Sequence, residues 1–259
     1  MPNMTPLWSE GEKTVTEIET LKEKLSRLSL KAMAQHLDSV LVDAAQKNLS
    51  IAGSLNRLAD LELERRWQSS VKLKWEQSKL PDKVTIDQFD FDHHKSRKEQ
   101  KNRILSLLDL EFVREHMDVI LIGNPGTGKT FLAKCIASAA CSANVKVLFT
   151  TAMEMINHLI AADADRSLLK KLHHYQSPAL LVVDEIGYLS LGEQGSSLFF
   201  QVISARHQKG STILTTNLPF ADWGKIFDST TAAAAIADRL VHRSEVLIME
   251  GTSYRRKEK

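Results

Sequence analysis

The chain has little cysteine. Cys135 and Cys141 are the only two in 259 residues, too few for a disulfide framework and not at a spacing that holds a metal. That scarcity points to a reducing compartment. An excess of one charge is missing too. The 34 Lys and Arg stand against 32 Asp and Glu, a formal net charge of +2, so nucleic-acid contact must come from a local patch. No uncharged apolar run approaches the roughly 20 residues of a membrane helix. The amino terminus MPNMTPLWSEGEK lacks a basic region followed by an apolar core. No period of roughly 20–50 residues recurs. These absences weigh against a secreted disulfide scaffold, a membrane span and a solenoid, and set the expectation of a cytoplasmic protein. What is present, 43% hydrophobic and 25% charged residues, is the composition of a folded globular chain.

Three textures follow one another. Residues 1–14 are polar and expected to fray. Residues 15–79 carry helical spacing. Ile18, Leu21, Leu25 and Leu28 form one stripe. Leu30, Met33, Leu37 and Leu41 form the next, with Ser29 as the expected N-cap and 46–48 as the exit. A third helix runs from about 50–54 through Leu55, Leu58 and Leu61 to Trp75. The stripes read as the core of a small all-helical N-terminal domain. Leu80-Pro81 closes the third helix. Residues 80–98 read as a linker; its His93 and His94 have no partner at a metal-binding spacing. From 99 the pattern alternates: helix 99–115, strand 119–122, helix 128–143, strand 146–150, helices 152–161 and 165–175, strand 179–183, helix 194–209 and strand 211–216. Short apolar strands between helices predict an α/β domain, 99–259, whose parallel sheet is covered by helices on both faces.

The chemistry lies at the strand ends. Gly123-Asn124-Pro125-Gly126-Thr127-Gly128-Lys129-Thr130 fits the phosphate-loop pattern G-x-x-x-x-G-K-[ST], between a strand and a helix as that motif requires. Glycines let backbone N–H groups curl around phosphate oxygens. Lys129 supplies a point charge for the β/γ-phosphates, Thr130 a hydroxyl for Mg²⁺, and the helix start a positive dipole end. Four apolar residues, 180–183, then deliver Asp184 and Glu185 to the carboxyl edge of the sheet, where ligands of open α/β folds bind. Asp184 suits a water-mediated hold on Mg²⁺ and Glu185 suits polarising an attacking water. Strand 211–216 leads to Asn217, a candidate, ahead of Thr216, to sit between γ-phosphate and that water, or a plain turn residue before Leu218-Pro219.

These elements, in this order, resemble the AAA+ ATPases. Phe89-Asp90-Phe91, GNPGTGKTFLA, Leu148–Ala152, VVDEIGYL, GSTILTTNLPFADWGKIF and AAAAIADRLVHRSEVLIMEGTSYR together resemble the IstB family over roughly residues 15–256. IstB proteins are the ATPase partners of the transposase in one family of bacterial insertion sequences, related to the DnaC helicase loaders and more distantly to the DnaA initiators. The resemblance implies binding of ATP and Mg²⁺ through 123–131, with Phe131 in the position after the motif. It makes Asn217 the first sensor. It makes Arg239 the arginine finger that reaches a neighbouring subunit's γ-phosphate, with Arg243, four residues on, as second candidate. A finger in trans implies a homo-oligomer with intersubunit ATP sites. It also implies that no separate lid domain follows Arg239; what covers the nucleotide is then open, with Phe89 and Phe91 of the linker as candidates to pack near the base. Phe131 and Leu218 stand where many family members have His and Arg.

Three basic clusters are the places for DNA. Residues 65–79 hold Arg65, Arg66, Lys72, Lys74 and Lys79 against Glu76, with Trp67 and Trp75 interleaved. Residues 166–174 hold Arg166, Lys170, Lys171, His173 and His174 with no acid. The tail holds Arg255, Arg256, Lys257 and Lys259 against Glu258. Charge runs are usually solvated helix faces; if they meet DNA, the contacts go to phosphates and are salt-dependent. The expected function is an ATPase that assembles on duplex DNA, remodels it and recruits a transposase, in the bacterial cytoplasm at the nucleoid. The alternative is a helicase loader using the same switch.

Overall fold

The computed structural model describes residues 8–254. The chain divides into two compact units, Met1–Ser70 and Val71–Lys259.

The first unit holds α1 (Trp8–Arg27), α2 (Lys31–Lys47) and most of α3 (Ile51–Ser78). Leu37, Val40 and Leu58 are its buried centre, flanked by Ile18, Leu25, Met33 and Leu61. Helical spacing reports packing here only in part: Leu21, Leu28, Leu41 and Leu55, on the same expected stripes, are exposed. Two expectations are corrected. α1 starts at Trp8, so 8–14 are helical rather than frayed. Ser29 does not cap α2: it sits at φ 59°, and Leu30 takes the cap position without a side-chain bond. The first turn is satisfied from α3 instead. The buried Glu62 carboxylate accepts the Ala32 N–H at 2.8 Å, an anion against the positive end of a helix with orphan donors. The exit of α2 is at Asn48 in the left-handed region, φ 50°.

The second unit is built on five parallel strands: β1 (Asp118–Gly123), β2 (Val147–Thr151), β3 (Leu180–Ile186), β4 (Ser211–Thr216) and β5 (Ser244–Met249), in the order β2-β3-β4-β1-β5. Its helices are α4 (Lys95–Glu99), α5 (Lys101–Ser106), α6 (Glu111–Arg114), α7 (Lys129–Ser142), α8 (Ala152–Ala164), α9 (Leu168–Gln176), α10 (Gly192–Arg206) and α11 (Thr230–Val241). The period of two along the strands divides the core. Val119, Leu121, Leu180, Val182 and Ile213 face α7. Ile120, Leu181, Val183 and Leu214 face α8, α10 and α11. Both faces are dry, so the strands are continuously apolar, as a doubly covered parallel sheet requires.

The single helix expected at 99–115 is instead α5, a 3₁₀ turn at Leu107–Asp109 and α6, broken where Leu110 adopts φ 60°. β5 was not among the expected strands. It is an edge strand whose carbonyls are engaged from α4 and α5: Ser96 Oγ donates to Glu250 O, Gln100 Nε2 to Ile248 O and Arg103 Nη2 to Val246 O. Among the described residues no helix is long and apolar enough to cross a membrane.

Candidate nucleotide site

β1 delivers the glycine loop at its carboxyl end and α7 starts at Lys129. Two glycines are fixed by geometry. Gly126 lies at φ 80°, where a Cβ would run into Ser253. Gly128 lies at φ 93°, where a Cβ would sit 2.6 Å from Arg97 Nη2. Lys129 Nζ donates to Gly123 O at 2.7 Å and Asn124 O at 2.9 Å, and Thr127 Oγ1 donates to Asn124 O at 2.9 Å.

The register of β3 places the first carboxylate. Leu180 and Val182 face α7, so Asp184 does too, and Thr130 Oγ1 donates to its Oδ1 at 2.9 Å. Thr215, two residues past Ile213 on the same face of β4, also donates to Asp184 Oδ1. Asp184 is only 4% exposed. The β3–β4 register shifts between Val183 and Ile186. At that irregularity Glu185 takes φ 61°, its N–H donates to Thr215 Oγ1 at 2.9 Å and its side chain is exposed. A non-glycine residue held there stores strain of order 1–2 kcal/mol. The distortion turns the second carboxylate from the buried pair out into the cleft. Thr215, the hinge of this arrangement, was not singled out from sequence; its signal was the small polar residue at the end of an apolar strand.

Asn217 sits at the end of β4. Its Oδ1 is buried without a hydrogen-bond partner, 3.0 Å from where a Cβ on Gly187 would lie. An unsatisfied buried amide oxygen costs about 1–3 kcal/mol, and Asn217 lines the same cavity as Glu185. Thr216 Oγ1, by contrast, accepts the Leu218 N–H at 3.1 Å and makes the turn.

These groups line one cavity of about 360 Å³, with Pro125, Gly126, Gly128, Lys129, Thr130, Glu185, Thr215 and Asn217 on its wall. Phe89, Phe131, Gln88 and Val84 line it too. Phe89 stacks on Phe131 with centroids 6.2 Å apart. Phe91 does not line the cavity; it sets its edge against Phe89 and lies beneath Lys101. Arg97 and Tyr254 also line the cavity. Arg97 belongs to no motif, Tyr254 lies in the carboxyl-terminal stretch that carries the family resemblance, and only tertiary approach brings the two to the loop.

Arg239 and Arg243 are not among the cavity-lining residues. Arg239 is half-buried along α11, its Nη1 donating to Ala235 O at 2.9 Å and its guanidinium 4.5 Å from the Phe200 ring centre. Arg243 is exposed.

Of the basic residues, Arg65 and Arg66 both bond Glu62, at 2.6 and 2.9 Å. The Arg65 guanidinium first, then Arg66 and the Ala32 N–H, hold that carboxyl down at about 2 against the effect of burial. Lys74 Nζ donates to Asn144 O and Oδ1, both at 2.7 Å. Lys72, Arg166 and Lys170 are exposed and Lys171 is half-buried. Leu169, beside them, is 84% exposed. Arg255 and Arg256 lie outside the described residues. Both cysteines are free and buried, and burial pushes the Cys135 thiol up to about 12. Among the described residues no cluster of three or more His, Cys, Asp and Glu side chains is placed to hold a metal. His94 Nε2 is paired with Thr252 O.

A phosphate loop between β1 and α7, acids at the end of β3 and a polar group at the end of β4 define an AAA+ P-loop nucleotide-binding fold. Solved structures agree on that fold. The DnaC helicase loader matches with a TM-score of 0.56 and 21% identity over 69% of this chain and 99% of its own. AMPPCP-bound DnaA from Aquifex aeolicus matches with a TM-score of 0.56 and 17% identity over 66% of this chain and 51% of its own. Sequence narrows the class. Residues 23–259 match the family described as IstB-like ATP binding protein. The insertion sequence IS21 ATP-binding protein of Pseudomonas aeruginosa is 38% identical over 94% of this chain and 90% of its own. Its IS5376 counterpart from Geobacillus stearothermophilus is 37% identical over 93% and 95%. The chain belongs to the IstB-like ATP-binding protein family.

Proposed function

We propose that this protein is an Mg²⁺-dependent ATPase that assembles on duplex DNA and serves the transposase of an insertion sequence. One observation carries the enzymatic part: Thr130, which lines the cavity, donates to the buried Asp184 just behind it, while Glu185, the next residue, is turned out into that cavity. A hydroxyl and a carboxylate from different elements are hard oxygen donors and fit Mg²⁺. When bound there, the ion neutralises charge on the phosphates. Lys129 and the loop N–H groups hold the β- and γ-phosphates. Glu185 orients the attacking water and takes up its proton, and Asn217 offers its amide beside it.

Arg239 supports a site completed between subunits. It lines no part of its own chain's cavity, so as a finger it must act on a neighbour. DNA contact is assigned to Arg166, Lys170 and Lys171 before Arg65, Arg66 and Lys74, because the latter three already serve Glu62 and Asn144. Arg255 and Arg256 add charge to the tail. Binding there is to phosphates, so affinity falls steeply with salt.

The relatives named for insertion sequences favour a transposase over a helicase as partner; the likeness to DnaC is one of fold. The test is ATP turnover with and without duplex DNA, with co-purification against the transposase and the replicative helicase. DNA-stimulated turnover and retention of the transposase are expected. Retention of the helicase alone would replace this reading with the loader reading.

A further inference from the structure

The four loop carbonyls around the phosphate loop are held by two different kinds of group. Gly123 O and Asn124 O accept from Lys129, inside the motif. Gly126 O accepts the Tyr254 N–H at 2.9 Å, and Thr127 O accepts from Arg97 Nε at 3.2 Å and Nη2 at 2.6 Å. The third Arg97 nitrogen, Nη1, donates to Asp90 O at 2.9 Å. The guanidinium lies 4.5 Å from the Phe89 ring centre and 5.6 Å from that of Tyr254. Arg97 is 3% exposed. Burial pulls its pKa below the usual guanidinium value, with Asp90 and Tyr254 opposing that fall. Burying a long charged side chain is costly unless its donors are used, and here they tie the 80–98 segment to the loop while two rings flank the cation.

This arrangement has a consequence for the loop. Peptides are planar and trans here, so carbonyl and N–H point in opposite directions. Fixing Thr127 O on Arg97 aims the Gly128 N–H away from Arg97. We infer that Arg97 is a positioning residue of the phosphate loop which, with the Tyr254 N–H, presets the loop for phosphate and so determines nucleotide affinity rather than the rate of the chemical step. The inference rests on the nucleotide-site reading above. Arg97 bonds neither Asp184, Glu185, Thr215 nor Asn217. Its loss frees a buried carbonyl and lets the peptide turn, and nucleotide must then reorder the loop on binding.

The experiment uses the full chain, a fluorescent ADP analogue for affinity and steady-state ATP turnover. Arg97→Met is expected to raise Kd and KM about tenfold or more, with kcat at saturation within about twofold. Arg97→Lys keeps the charge but not the fork and falls between that variant and wild type. Should Arg97→Met lose its cooperative melting transition, the pair Tyr254→Pro and Tyr254→Leu carries the test. Both remove the ring, and only proline removes the N–H to Gly126 O. Proline is expected to weaken nucleotide binding at least about threefold more than leucine. Wild-type affinity in Arg97→Met, equal affinities in the Tyr254 pair, or a fall in kcat at unchanged KM overturns the inference. A wild-type chain that binds no nucleotide overturns the functional reading and the inference with it; wild-type binding with unaffected variants overturns the inference alone.

Discussion

The two ends of the same parallel sheet treat polar groups in opposite ways. At the amino end the buried charged groups have their hydrogen bonds. Arg206 is buried, and its guanidinium donates to Tyr175 O, Gln176 O, Pro178 O, Ser211 O and Thr212 Oγ1. Asp118 Oδ1 accepts the Thr212 N–H at 2.7 Å, and Ser211 Oγ donates to Phe112 O. At the carboxyl end Glu185 is exposed and strained and Asn217 keeps a buried oxygen without a partner. Satisfied groups at one end hold strand ends and helix exits together. At the other end the same strands present Glu185 and Asn217 to the cavity that we propose as the nucleotide site. A charged or amide side chain on this sheet is therefore read from its hydrogen-bond account and not from its type.

Substitutions at the two ends should separate accordingly. Lys129→Ala has the largest expected effect at the carboxyl end: nucleotide binding falls about 100-fold or more, measured by fluorescent-nucleotide titration, while the melting temperature without nucleotide hardly moves. Glu185→Gln follows, with turnover reduced about 100-fold or more and ATP affinity retained. Unchanged turnover in that variant removes Glu185 from the water-polarising role. At the amino end Arg206→Met should cost about 3–5 kcal/mol by leaving five acceptors short of a donor, read by denaturant unfolding, with kcat of the folded fraction unaltered.

The smallest expected effect is that of Asp118→Asn, and it depends on pH. Burial pushes the Asp118 carboxyl up to about 7, with the Thr212 N–H and then Arg206 opposing. The folded state thus holds this proton more tightly than the unfolded chain. The group's contribution is full below its ordinary value near 3.8 and is lost as pH rises through about 7. Asparagine keeps an acceptor for Thr212 and never ionises. The variant should be more stable than wild type at pH 8 by about 1–3 kcal/mol and not at pH 4, checked by paired melting curves. Equal curves at both values would mean that Asp118 is not desolvated.

Legibility in the sequence followed the range of the interaction. The phosphate loop and the Asp184-Glu185 pair were visible because their chemistry fixes residues at short spacing inside a strand-loop-helix pattern. Short continuous apolar runs between helices likewise marked four of the five strands. β5 escaped because it is an edge strand, half exposed, completed by donors from α4 and α5 rather than by its own pattern. Arg97, and the contact that Tyr254 makes, were hidden because no spacing rule links them to Thr127 or Gly126. The cluster at 65–79 shows the reverse error. Counting charges within the window left out Glu62, just outside it, which engages Arg65 and Arg66 and caps α2. Ser29 looked like a cap by type, and that distant carboxylate did the work.

The central proposal is a site that one chain does not complete. Arg239→Ala and Glu185→Gln each remove a different half of it, and each alone should hydrolyse ATP very slowly. Mixed in equal amounts with duplex DNA, they should recover about a quarter of the wild-type rate, because an intact Glu185 then meets an intact Arg239 from its neighbour in that share of sites. A mixture no faster than the two variants measured separately would contradict the account.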